Sequence, residues 1–173
     1  MTRALGVSEA EWEALYKRLE KPLYNLAYRY VWNKQEAQDI LHDAFMELWT
    51  RRSRLIGSTS DRYAWITVLN LSRKRRRWKL TKHFLHGDEL LAALPATAAL
   101  EADASRAEEQ SLLHAAIARL PEKLRSVLLL VEFSELSYES ISELLSIPSG
   151  TVASRRNLAL EQLRSELKGK SAP

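Results

Sequence analysis

The chain has 173 residues, 46% of them hydrophobic, with 51 Leu and Ala against 12 Val and Ile, a composition that favours helices and excludes wholesale disorder. It has no Cys, no long uncharged apolar run and no basic start followed by an apolar stretch, so we expect a protein of a reducing compartment without disulfides, membrane insertion or a secretory signal. The net charge is +4, but residues 51–82 alone carry +10, from 11 Lys and Arg against Asp61, which leaves about −6 for the rest.

The first predicted helix begins at a capping box, in which Ser8 is followed three residues later by Glu11. Apolar residues then recur at helical spacing from Trp12 to Tyr30. Because a proline inside a helix removes a hydrogen bond and crowds the preceding turn, Pro22 predicts a kink or a split in this helix.

The second predicted helix is the clearest amphipathic segment of the chain. Asn33 can cap it, with Glu36 three residues on, and apolar residues follow the helical template without a miss. Beside the apolar face runs an acidic stripe formed by Glu36, Asp39, Asp43 and Glu47. A solvated helix face is the simpler interpretation of this stripe, and a protein-docking face is the alternative.

A loop is predicted at residues 53–60, which contain Gly57 and small hydroxyl residues, and a third helix is predicted from Ser60 or Asp61 onward. This helix leads into five contiguous cations, residues 73–77, followed at once by Trp78. Since contiguous cations surround a helix and repel one another, a polyanion is the partner that relieves the repulsion best. We therefore favour nucleic-acid contact over a merely solvated face.

A linker is predicted at residues 87–104, where Gly, Pro, Ala and acidic residues show weak periodicity. A second helical unit follows, beginning at Ser105 with Glu108 in capping-box position. Pro121 suits the start of a helix over residues 122–133 that is apolar on most sides and is therefore expected to lie centrally in its core.

The last two predicted helices, residues 138–145 and 149–167, are separated by a short turn and form a helix-turn-helix outline. Ile141, Leu144, Leu145, Ile147 and Val152 can hold the pair together. Any helical hairpin can imitate this outline, so by itself it is only moderately specific for DNA binding.

Two stretches carry a family resemblance. Residues 116–156, AIARLPEKLRSVLLLVEFSELSYESISELLSIPSGTVASRR, closely resemble region 4 of the extracytoplasmic-function sigma factors of bacterial RNA polymerase. Residues 23–49, LYNLAYRYVWNKQEAQDILHDAFMELW, resemble region 2 of the same family, in the family's order. The resemblance implies an all-α fold of two small helical domains: region 2 at residues 8–84, a flexible linker at 85–104 and region 4 at 105–169.

The resemblance also implies a role for each group of residues. Region 2 would dock on core RNA polymerase through the second helix, where the matching polar positions are Asp39, His42 and Asp43, and Glu36 and Glu47 of the acidic stripe complete the predicted polymerase-binding set. Its third helix would contact the minus-ten promoter element and hold the strands apart, with candidates Asn70, Ser72, Arg73, Lys74, Arg75, Arg76, Arg77, Trp78 and Lys79, while Trp65 packs in the core. Region 4 would read the minus-thirty-five element through Ser149, Thr151, Ala153, Ser154, Arg155, Arg156 and Asn157.

The chain departs from the family pattern at several of these positions. His42 and Asp43 stand where the family usually has Gln and Glu. Ala153 replaces a common basic residue, Leu158 and Leu160 replace arginines, and Arg156 falls where the family prefers leucine, within the apolar arc of its helix. We therefore expect the recognition helix, residues 149–167, to bind DNA phosphates less strongly than in most relatives. We expect the Arg156 side chain to extend its charged end from the apolar side of this helix to solvent.

The expected protein is an initiation factor of the cytoplasm that binds core RNA polymerase, promoter DNA and an anti-sigma factor. We expect no enzymatic activity, no cofactor and no metal, because the chain lacks a catalytic constellation, a glycine-rich phosphate loop and a ligand set. The main alternative is an autonomous dimeric helix-turn-helix regulator, which would bind specific DNA without polymerase. A helical adaptor, which would show no salt-sensitive nucleic-acid binding, is the third class considered.

Overall fold

The structure is a computed structural model that describes residues 8–55, 58–86 and 104–168. Over these ranges the chain forms helices and no strand, which confirms the all-α prediction. The α-helices are α1 (Glu9–Val31), α2 (Lys34–Arg51), α3 (Ser58–His86), α4 (Ala104–Arg119), α5 (Glu122–Phe133), α6 (Tyr138–Leu145) and α7 (Ser149–Lys168), and a 3₁₀ turn, Arg52–Arg54, follows α2.

The chain divides into two compact units on either side of the bond between Arg77 and Trp78. The body of the first unit is built from α1, α2 and α3, and that of the second from α4 to α7. Most of the predicted linker, residues 87–103, lies outside the described residues, so the boundaries at 84 and 105 stay predictions. None of the helices in the described ranges has the length and apolarity needed to cross a membrane.

Helices α1 and α2 form an antiparallel pair. The ring of Trp12, near the start of α1, lies 5.1 Å from that of Trp49, near the end of α2, and 5.9 Å from that of Phe45. Both predicted caps are confirmed. Ser8 and Glu11 make a reciprocal capping box, and the Asn33 side chain accepts a 3.0 Å hydrogen bond from the Glu36 amide.

Pro22 does not split α1, which runs without interruption from Glu9 to Val31. Leu19, Leu23 and Leu26, on both sides of the proline, are buried. Burial of this apolar face stabilises the helix by more than the loss of one backbone hydrogen bond destabilises it.

Helix α3 begins at Ser58, two residues before the earlier of the predicted starts. Two polar contacts attach its first turns to the hairpin: Arg18 of α1 pairs with Asp61 at 2.5 Å, and the Tyr63 hydroxyl donates to Glu47 of α2 at 2.9 Å. Trp65 is buried, which confirms its predicted packing role.

The core of the second unit is centred on α5, whose observed bounds match the predicted ones. Every residue from Leu124 to Leu130 is buried, and Ile141, Val152 and Ala159 pack from α6 and α7 with no exposed surface. Helix α4 begins at Ala104, so Ser105 lies inside the helix rather than at its cap.

Arg125 is a buried cation inside this core, although no sequence pattern distinguishes it from the exposed arginines. Its guanidinium donates to the carbonyl oxygens of Ile117 at 3.0 Å and Ala118 at 2.9 Å and also to that of Leu120, while Nη1 pairs with Glu122 at 3.0 Å. The last turn of a helix leaves carbonyl groups without partners. Arg125 therefore caps the C-terminus of α4 from the next helix.

The turn between α6 and α7 is closed by local hydrogen bonds. Ser146 adopts the left-handed conformation with φ 54°, and the Ile147 amide donates to the Ser142 carbonyl at 3.1 Å. The Ser142 hydroxyl in turn donates to the Ile147 carbonyl at 2.6 Å. These bonds, with Pro148 directly before α7, fix the short helix-turn-helix that the sequence predicts.

Candidate protein and nucleic-acid interfaces

The outer face of α2 combines acidic side chains with an exposed apolar one. Asp43 and His42 are exposed, and Asp39 is half-buried and accepts a 3.0 Å hydrogen bond from Gln35. Met46, one turn beyond Asp43, leaves 51% of its surface exposed. Exposed methionine beside charged groups is typical of protein-binding surfaces, so the face Asp39, His42, Asp43 and Met46 suits a protein partner. We call it the α2 face.

Two other members of the predicted acidic stripe serve the fold. Glu36 is half-buried at the first turn of α2, where Asn33 caps its amide. Glu47 accepts from Tyr63 and pairs with Arg51 at 3.2 Å. Burial, with help from the hydrogen bond to Glu47, raises the pKa of the Tyr63 phenol. These contacts point Glu47 toward α3 rather than outward with Asp43.

Along α3, the residues predicted to bind nucleic acid differ in how far they are exposed to solvent. Asn70, Lys74, Arg77 and Trp78 are exposed, at spacings of four, seven and eight residues that place them on one helix face. Arg73, Arg75, Arg76 and Lys79 are half-buried on its flanks. Ser72 is wholly buried, so its hydroxyl does not reach the surface. Ser72 is therefore not available for contact with DNA, in contrast to the expectation from the sequence.

Trp78 leaves 58% of its surface exposed, a large fraction for an indole side chain. The ammonium of Lys82 lies 5.3 Å from the centre of its ring, a cation–π arrangement that places positive charge beside an aromatic surface. An exposed indole with adjacent cations is the combination that unstacked bases bind.

A second cationic group, Arg51 and Arg52, lies at the end of α2, and in the sequence it is visible only as part of the basic segment. The Arg52 guanidinium lies 3.9 Å from the centre of the Trp49 ring and donates to the Trp49 carbonyl at 3.0 Å. Arg51 is held by Glu47 and by the ring of Tyr63. The signal that could have found this group was the run of arginines directly after an amphipathic helix ending in tryptophan.

Helix α7 presents its predicted reading residues at the start of the helix. Ser149, Ser154 and Asn157 are exposed, whereas Thr151 and Ala153 are half-buried. Gly150 has open space around the position of a Cβ atom, so the helix start offers an unobstructed surface. Leu158, further along the helix, is 46% exposed.

The two arginines of α7 differ in their surroundings. Arg155 is half-buried and makes no ion pair with any described residue. Arg156 donates through Nε to Glu132 of α5 at 2.8 Å, and its Nη2 forms an ion pair with the same carboxylate oxygen, also at 2.8 Å. The Arg156 guanidinium is therefore engaged by a carboxylate of its own unit.

In the described ranges, no group of three or more His, Asp or Glu side chains is arranged to hold a metal ion. The described helices present an acidic face with exposed Met46 on α2, an exposed cationic and aromatic face on α3, and a helix-turn-helix formed by α6 and α7.

Comparison with known proteins gives matches along both units. The family model for sigma-70 region 2 matches residues 15–79, and the model for sigma-70 region 4 matches residues 110–163. The chain is 31% identical over 160 residues to the ECF RNA polymerase sigma factor SigW of Bacillus subtilis, covering 84% of this chain and 83% of SigW. It is 31% identical over 156 residues to the RNA polymerase sigma-H factor of Pseudomonas aeruginosa, covering 83% of this chain and 79% of that protein.

Solved structures show the same fold. CnrH, in complex with the cytosolic domain of CnrY, matches with a TM-score of 0.69 and 16% identity, over 95% of this chain and 92% of CnrH. The sigma factor RpoE of Bartonella quintana, in complex with the anti-sigma factor NepR, matches with a TM-score of 0.66 and 19% identity, over 90% of this chain and 98% of that one.

Proposed function

Because the chain belongs to the extracytoplasmic-function sigma factors of bacterial RNA polymerase, we propose that its two helical units divide promoter recognition between them. The protein is an RNA polymerase sigma factor, which directs core polymerase to specific promoters and helps to initiate transcription. Membership of this family favours that function over an autonomous dimeric regulator. The assignment of individual residues to each step is our proposal.

Core polymerase binds the α2 face in this proposal. Asp39 and Asp43 supply negative charge, His42 extends the polar surface and Met46 supplies an apolar anchor. Glu36 and Glu47 support polymerase binding indirectly, because they hold α2 in place. Glu36 contacts Asn33, and Glu47 contacts Tyr63 and Arg51.

Helix α3 receives the minus-ten element. Its exposed cations neutralise backbone phosphates, and Trp78 offers a surface on which an unstacked base can pack once the strands separate. Asn70 lies on the same face and is the polar candidate for contact with a base. The half-buried Arg73, Arg75, Arg76 and Lys79 widen the positive surface around this face.

Helix α7 reads the minus-thirty-five element from the major groove, through Ser149, Thr151, Ala153, Ser154 and Asn157, with Arg155 on a phosphate. Two modest DNA contacts on one polymerase-bound protein raise each other's effective concentration, so neither needs to be tight alone. The observation that carries the proposal is the order of surfaces along one chain: a protein-binding face and a cationic aromatic helix, followed by a helix-turn-helix.

An anti-sigma factor is the regulatory partner we propose, because the related RpoE structure contains one. We place the protein in the cytoplasm, where core polymerase acts, and propose a binding role without enzymatic activity or cofactor.

The test is run-off transcription of fragmented genomic DNA by core polymerase, with and without the purified chain, followed by sequencing of the transcript 5′ ends. We expect new start sites that share two sequence elements at a constant separation. The chain alone should bind duplex DNA weakly. Failure to support initiation, together with tight binding of the chain alone to a palindromic duplex, would refute the proposal and favour the dimeric regulator.

A further inference from the structure

Two neighbouring arginines in the recognition helix, both half-buried, differ in their ion pairing. Arg155 makes no ion pair with a described residue, whereas Arg156 donates through Nε to one carboxylate oxygen of Glu132 at 2.8 Å, and its Nη2 lies 2.8 Å from the same oxygen in an ion pair. Glu132 lies in the last turn of α5. The pair therefore joins the recognition helix to the central helix of its unit.

The position of Arg156 on α7 explains this contact. Val152, four residues earlier, and Ala159, three residues later, are both wholly buried. Residues at these spacings lie on the same side of a helix, so Arg156 lies on the core-facing side. Ser154 and Asn157 lie on the other side and are exposed.

A third element contributes to the environment of Arg156. Glu132 chiefly, and Tyr138 to a lesser extent, raise the pKa of the Arg156 guanidinium. Tyr138 is the first residue of α6. The charge of Arg156 is thus stabilised by groups from both helices that precede the recognition helix.

We propose that Arg156 and Glu132 form a positioning clamp that fixes the rotation of α7 against α5, and that Arg155 alone of the two arginines contacts DNA. Rotation of a recognition helix changes which side chains reach the base edges, so a contact that fixes rotation controls sequence reading without touching DNA. The inference rests on the proposed reading of the minus-thirty-five element by α7.

The first arm of the test is salt dependence. Each phosphate contact contributes about 0.9 to the slope of log affinity against log salt concentration on duplex DNA. Binding of the full chain to a fluorescein-labelled, mixed-sequence duplex is measured by anisotropy over a salt series for the parent, Arg155→Gln and Arg156→Gln. We expect Arg155→Gln to reduce the slope by about 0.9 and Arg156→Gln to leave it unchanged.

The second arm is a charge swap, read as run-off transcription by the holoenzyme from a promoter found in the genomic screen. Arg156→Glu should lower the yield about tenfold, because it sets two carboxylates against each other. The double variant Glu132→Arg with Arg156→Glu should recover most of that loss, since it restores an ion pair between α5 and α7. A phosphate-contacting arginine would not be rescued, because the swap leaves a carboxylate at its position.

Thermal melting of every variant separates misplacement of α7 from unfolding. Arg156→Lys, which keeps the charge, serves as the conservative variant and should retain most of the yield. An equal fall in salt slope for Arg155→Gln and Arg156→Gln overturns the clamp, as does a well-folded swap that stays inactive. Failure of the parent holoenzyme to initiate would instead refute the proposed function.

Discussion

At the scale of single residues, exposure separates charged side chains that can meet a partner from those that hold the fold. Asp39 and Asp43 lie on the outer side of α2, whereas Glu47, on the same helix, is engaged by Tyr63 and Arg51. Among the basic residues, Arg125 is enclosed by carbonyl groups while Lys74 and Arg77 are exposed. The sign of a residue's charge therefore did not determine its role, and its surroundings did.

Changing Asp39 and Asp43 together to lysine should abolish association with core polymerase, because it reverses the charge of the α2 face. Far-UV circular dichroism should be unchanged, since neither side chain is buried. Co-elution of the variant with core polymerase on size exclusion is the measurement. Glu13→Lys, a charge reversal at an exposed site on α1, is the control and should still co-elute. Normal co-elution of the double variant would show that the α2 face does not bind core polymerase.

Trp78→Ala should weaken binding of single-stranded DNA by about 1–3 kcal/mol, the usual contribution of one stacked base. Trp78→Phe should retain part of this contribution, because an aromatic face remains. Fluorescence anisotropy with a labelled single strand measures the effect, and melting should stay near the parent value because the indole is largely exposed. Equal affinities for the Ala variant and the parent would show that no base packs on this ring.

At the scale of helices and turns, the ends of the elements depend on particular side-chain bonds. Ser8 and Glu11 close the start of α1, Asn33 closes that of α2, and Arg125 closes the end of α4 from a neighbouring helix. The first two are local in sequence, and the third requires α5 to be in place.

The capping box gives α1 a pH-dependent start. The Ser8 amide and hydroxyl both donate to Glu11 at 2.8 Å and lower the pKa of its carboxyl. A lowered folded-state pKa stabilises the fold above the ordinary value near 4.5 and loses that effect as pH falls through the folded value. The protection of amides at the start of α1, taken relative to the intrinsic exchange rate at each pH, should therefore fall as pH drops below the ordinary glutamate value. Glu11→Gln should abolish this pH response, and a response that survives in Glu11→Gln would assign it to another group.

Arg125→Ala should destabilise the second unit by about 3 kcal/mol, because it leaves several carbonyl groups at the end of α4 without donors. Urea unfolding followed by circular dichroism measures the loss. Lys123→Ala, an exposed change on the same helix, should stay within about 0.5 kcal/mol of the parent. Similar losses for the two variants would contradict the capping role.

At the scale of the whole molecule, each unit has a core of its own. Leu26 and Leu23 are buried in the first unit, and Leu129 and Val127 in the second. Of the five tryptophans, Trp12, Trp32, Trp49 and Trp65 lie in the first unit. Tryptophan fluorescence therefore follows mainly the first unit, while circular dichroism follows both.

Leu26→Ala should lower the midpoint temperature of the unfolding transition detected by tryptophan fluorescence. Leu129→Ala should lower the midpoint temperature of a separate transition detected by circular dichroism. Each change removes a fully enclosed side chain and should cost about 2–5 kcal/mol. Calorimetry should resolve the two transitions, each shifted by one variant only. A single transition shifted equally by both variants would show that the units unfold together.

The sequence alone determined the all-α class, the order of the helices, the caps at Ser8 and Asn33, the bounds of α5 and the family, because periodicity, capping pairs and motif order depend on residues close in the chain. It could not place Ser72 in the core, pair Arg156 with Glu132, engage Glu47 with Tyr63 or surround Arg125 with the carbonyl groups of α4. Those outcomes depend on which helix faces another and at what rotation. Packing of distant segments decides that, since a helix alone presents every side chain to solvent.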